Sequence, residues 1–135
     1  MQVNLDAVVL EFILRSGVPL EATLVNNYGP ERGYPGVFGL SVLHHVGYSV
    51  DQLAQAGHFP HGRISYAVVQ QLRDALTHAG YEMLLTHTPT AVLPDHHTLG
   101  VARGGTALQN LPSDAAQALG AALTTITNAY RQRQP

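Results

Sequence analysis

At 135 residues, with 45% hydrophobic and 12% charged positions, the chain has the length and composition of one folded domain around a single core. Its formal net charge is −2 and its seven basic residues are all arginine and scattered, which argues against a nucleic-acid or anionic-membrane surface built on a basic stripe. Cysteine is absent, which removes disulfides, thiol nucleophiles and thiolate metal sites, and lysine is absent, which removes a P-loop and Schiff-base chemistry.

Asn4 caps a first expected helix over residues 5–16, in which Leu5, Val8, Val9, Phe12 and Ile13 share a stripe and Gly17 is the stop. The β-branched run from Val8 to Leu14 also reads as a strand, but the caps at both ends favour helix. Asp6 and Glu11 interrupt that stretch, so the pattern of a secretory leader is missing, and no run approaches the roughly 18 apolar residues of a spanning helix. The expectation is a soluble, cytoplasmic protein. Residues 20–25 follow as a short strand with Glu21 and Thr23 facing out. Residues 26–36 are rich in Gly, Pro and Asn and read as a loop, where Tyr28, Arg32 and Tyr34 offer aromatic and guanidinium contact area for a ligand. Residues 37–46 read as an interior strand, with Gly39 marking a bulge or a close backbone approach.

Ser49 and Gln52 have the spacing of a capping box for a short helix over residues 49–56. A loop with His58 and His61 leads to a central helix over residues 65–79, capped by Ser65 and closed by Gly80. Its stripe is Val68, Val69, Leu72, Ala75, Leu76 and Ala79. At Gly80 the period changes from helical to two. Residues 81–102 then read as a β-hairpin, with Tyr81, Met83, Leu85 and His87 on one side of its first strand and His97, Leu99 and Val101 on the matching side of its second. Pro112-Ser113-Asp114 opens a C-terminal helix over residues 113–131. The fold class is therefore α+β: a single domain, residues 1–135, with a small mixed or antiparallel sheet and about four helices packed on it.

Eight histidines are the conspicuous chemistry, grouped as His44-His45, His58 with His61, and His96-His97 with His87. Alternation puts His87 and His97 on one face of the hairpin and His96 on the other. No His-Glu-x-x-His run exists, so neither a metal nor another cofactor is expected. His96-His97-Thr98 resembles one half of the signature of the two-histidine phosphoesterases, whose sites need a second such strand; His87 and His61 lack the following Ser or Thr at the required position.

Three functions fit these elements. The first is a protein-binding or regulatory module that meets another protein, or a second copy of itself, through the 26–36 loop and the strand margins. The second is a small histidine-based hydrolase or transferase acting on a nucleotide or RNA, with His96, His97 and His87 carrying protons and Arg32 or Arg63 holding phosphate. The third is a winged-helix DNA-binding protein, with helices 49–56 and 65–79 and a wing at 81–102. Its recognition helix would present only Arg73 as a cation, and phosphate contacts supply most affinity in such proteins.

Overall fold

The computed structural model describes residues 11–16, 19–46 and 63–127. Along the chain these form β1 (Glu11–Ser16), α1 (Glu21–Asn27), β2 (Gly29–Pro30), β3 (Phe38–Val46), β4 (Arg63–Val68) and α2 (Val69–His78). There follow β5 (Glu82–His87), β6 (His96–Arg103), β7 (Thr106–Ala107), α3 (Ser113–Ala122) and β8 (Thr124–Thr127). The main path of the sheet runs β5-β6-β3-β1-β4-β8, with β2 joined to β3 and β7 to β6. Among the described residues every pairing is antiparallel. The fold is thus α+β, with three helices among the described residues. The expected helix over 49–56 and the loop with His58 and His61 lie outside them.

Two expected elements change type and two expected helices give up one end to a strand. Residues 11–16 are strand rather than the end of a helix. A dense apolar run does not distinguish a buried strand from a helix, and here pairing with β3 on one side and β4 on the other decides it. Residues 21–27 are helix rather than strand. Leu24 and Tyr28, four apart, are both buried, and Glu21 sits in the first turn, where a carboxylate favours the helix dipole.

The central helix starts later than Ser65. Residues 63–68 pair with β1 as β4, Ser65 and Ala67 are buried in the sheet, and α2 begins at Val69. Its capping comes from Gln71, whose Oε1 accepts the Val68 N–H at 3.1 Å. The last helix stops at Ala122 instead of running to 131. After Leu123, residues 124–127, Thr-Thr-Ile-Thr, are all β-branched and pair with β4 as β8. The hairpin over 81–102 is found as β5 and β6, with Met83 opposite Val101 and Leu85 opposite Leu99.

Directly opposed residues share a face of a sheet. One face therefore collects Ala67, Ile13, Val42, Leu40, Leu99 and Val101, and α1, α2 and α3 cover it with Leu24, Leu72, Leu76, Ala115, Ala116 and Leu119. Within this layer an apolar void of about 10 Å³, lined by Ile13, Leu40, Val42, Leu72, Leu99, Leu119 and Leu123, has room for no more than a water-sized probe. This core is packed, not a binding cavity. Among the described residues no helix is long and apolar enough to cross a membrane.

The opposite face is crossed by the β2–β3 hairpin. Its loop is two successive turns, closed by Tyr34 N–H to the Glu31 carbonyl and Val37 N–H to the Tyr34 carbonyl, with Gly33 and Gly36 at φ 85° and 82° where type II turns need them. At Gly39, strand β3 runs so close over β6 that a Cβ there would lie 2.4 Å from the Leu99 carbonyl oxygen.

Candidate functional site

The β5–β6 hairpin carries two distinct histidine groups, one on each face. His87 is directly opposite His97, and their rings stack with centroids 4.7 Å apart. His44, on β3, meets the same His97 ring edge-on at 4.9 Å. The row lies on the helix-covered face but toward its margin, where exposure rises from half-buried His44 and His97 to exposed His87.

His87 Nε2–H donates to the Pro94 carbonyl at 2.8 Å and His97 Nδ1–H to the Asp95 carbonyl at 2.9 Å. A carbonyl only accepts, so these bonds fix both neutral tautomers. Burial pushes His97 below the ordinary histidine pKa. The bond to Asp95 opposes that shift, and the His44 and His87 rings reinforce it. Among the described residues no three His, Asp or Glu side chains are grouped to hold a metal ion.

His96 points the other way, into a buried polar group. Its Nδ1 lies 2.8 Å from the Thr88 carbonyl and 2.9 Å from Thr88 Oγ1, and Thr88 Oγ1 is 2.8 Å from Thr98 Oγ1. Thr88 is 0% exposed and His96 8%. Donation of Nδ1–H to the Thr88 carbonyl leaves Nε2 facing Glu31 Oε1, 3.8 Å away on the crossing loop. Tyr34 fastens the same loop by donating its hydroxyl proton to the Pro89 carbonyl at 2.6 Å. The arrangement joins two loops through one buried imidazole that faces a carboxylate.

The expected proton carriers therefore do not converge: His87 and His97 share a face and His96 lies across the sheet. The expected ligand contacts are also dispersed. Tyr28 is buried, its hydroxyl accepting the Val101 N–H at 3.0 Å and donating to the Leu108 carbonyl at 2.8 Å. Arg32 is exposed on a turn, Tyr34 is spent on Pro89, and Arg63 opens β4 opposite Thr127. Arg103 stacks its guanidinium 4.3 Å from the Tyr81 ring, whose hydroxyl donates to Asp114. Glu31 and Thr88 were not singled out by sequence, and His44 was grouped with His45 rather than with His97. Period-two alternation could have placed Thr88 beside Thr98, but nothing local brings Glu31 or His44 to their neighbours.

A second feature lies along the hairpin's outer side. Among the described residues β5 ends the sheet, pairing with β6 alone. Thr88 N–H reaches the His96 carbonyl, while the amide and carbonyl of Val101, opposite Met83, turn away from β5 toward Tyr28 and Leu108. Antiparallel bonding alternates, so the amides and carbonyls of Met83, Leu85 and His87 point outward. The side chains along this margin are half-buried Met83, Leu84 at 40% exposure and half-buried Leu85, with neither lysine nor proline in the strand. No family model, no curated protein and no solved structure matches the chain.

Proposed function

We propose that this chain is a protein-interaction module whose recognition element is the open outer side of β5. The observation that carries the reading is that side itself. Three consecutive outward-facing residue sites are flanked by the apolar run Met83-Leu84-Leu85, with none of the lysines, prolines or bulges that ordinarily blunt a sheet margin. An extended partner strand laid there gains main-chain hydrogen bonds for affinity and side-chain contacts for selectivity. The placement of His96 across the sheet from His87 and His97, with Arg32 exposed on a turn, adds support, because the hydrolase reading needs these groups around one reacting atom.

A photoreactive benzophenone side chain carried at position 84 in cells expressing the full chain tests this. The expected outcome is a discrete adduct that disappears in a Met83→Pro background, since proline there removes an outward N–H without taking one from β6. Unchanged circular dichroism of that variant shows that the loss is local. Should Met83→Pro not fold, Thr86→Lys places a charge on the same exposed margin and substitutes for it. An absence of adduct, or an adduct indifferent to both changes, removes the reading.

A further inference from the structure

Resting on that reading of β5, we infer that the strand it takes is β5 of a second copy, in one definite register centred on Leu85. The outward ladder has hard limits. At one end the Tyr81 N–H is already given to the Leu76 carbonyl, and at the other Pro89 has no N–H to give. Met83, Leu85 and His87 are left, an odd number evenly spaced. An antiparallel pair of identical strands is related by a two-fold axis normal to the sheet, so each outward residue must meet an outward residue of its copy.

Shifting through the possible registers, only the one centred on Leu85 uses all three positions: Met83 with the copy's His87, Leu85 with itself, His87 with the copy's Met83. At two bonds per pair this makes about six main-chain hydrogen bonds. A slide by one position to centre on Leu84 or on Thr86 loses a pair, at Tyr81 or Pro89 respectively.

The side chains agree with that register. On the helix-covered face, half-buried Leu85 meets its own copy and Met83 meets His87, which extends the apolar layer across the joint. On the other face, 40%-exposed Leu84 meets Thr86. No like charges face each other, because Glu82 falls opposite Thr88. The result is a continuous sheet through two chains, with the same patch used on both sides.

The chain has no cysteine, so single introduced thiols report the register directly. Leu84 and Thr86 would form a non-hydrogen-bonded pair about 4.5 Å apart between Cα atoms, within disulfide reach, whereas Leu84 to Leu84 and Thr86 to Thr86 are diagonals of about 7–8 Å, beyond it. Mixing a Leu84→Cys chain with a Thr86→Cys chain under mild oxidation is expected to give mixed disulfide dimers in at least about tenfold excess over either self-linked dimer, and Met83→Pro in both chains should abolish them. The unmodified chain should sediment as a monomer–dimer equilibrium that shifts toward dimer as its concentration is raised.

Statistical cross-linking, self-linked Leu84→Cys dimers in excess, or a monomer with no mixed disulfide overturns the inference. The adduct at position 84 then separates the two levels. If it weighs more or less than two chains yet still vanishes with Met83→Pro, a different protein fills the β5 margin and only self-pairing is lost. If no adduct forms, both ideas go.

Discussion

Tyr28 does the work of a missing backbone group. Where β3 leaves the β6 ladder, its hydroxyl accepts a hydrogen bond from the Val101 N–H and donates one to the Leu108 carbonyl, so a side chain fills a rung. Tyr28→Phe keeps the ring but strands a buried amide, and about 1–3 kcal/mol of unfolding free energy should be lost in urea titration. His97 supplies a second expectation. An imidazole whose folded pKa is held below its unfolded value of 6.5 carries fewer protons folded than unfolded. Its contribution to stability is therefore complete above the unfolded value and is lost as pH falls from there through the depressed folded value. The melting temperature should drop on going from about pH 7.5 to 5.5, and His97→Gln should make the drop shallower. A slope unchanged by that substitution would assign the acid sensitivity to other groups.

Elements whose pattern was set by local chemistry could be read from sequence, and those set by remote pairing could not. Residues 81–102 have clean alternation, turn prolines and one preceding glycine, and the hairpin followed, with His87 set against His97 as its period implies. Strand 38–46 was legible for the same reason. Residues 11–16 and 65–68 misled because apolar residues at helical spacing preceded good stops, while the neighbours that make them strands lie tens of residues away. The end of α3 was better signalled: four β-branched residues in a row outweigh an alanine-rich helix once β4 is there to receive them.

The partners of each histidine depend on how loops cross, which no spacing encodes, so the face of each was readable and its neighbours were not. Gly39 shows the same boundary. Its oddity inside a strand pointed to a close approach, but only the crossing over Leu99 says to what. Gly39→Ala should cost roughly 1–3 kcal/mol or displace β3, while Gly29→Ala, with nothing within 4 Å of its added carbon, should stay within about 0.5 kcal/mol. Thermal denaturation of the two side by side checks this.

At the scale of the whole molecule, the described residues form an antiparallel sheet assembled from distant segments, held on one face by three helices and crossed on the other by a short hairpin. Its covered layer leaves no cavity for a ligand of ordinary size among the residues around its central void, and its open margin is a backbone surface. The row of His44, His97 and His87 sits at the margin of that covered layer, and His97, held by burial below the ordinary histidine range, makes the fold more stable above that range than below it.

The place of β1 carries a kinetic consequence. It is the first strand described, yet both of its neighbours, β3 and β4, are synthesised after it. During translation a greasy segment must wait, unshielded on two flanks, until some fifty further residues have left the ribosome. Nascent chains halted before β4 emerges would be natural clients for chaperones, and prematurely terminated ones natural seeds for aggregates.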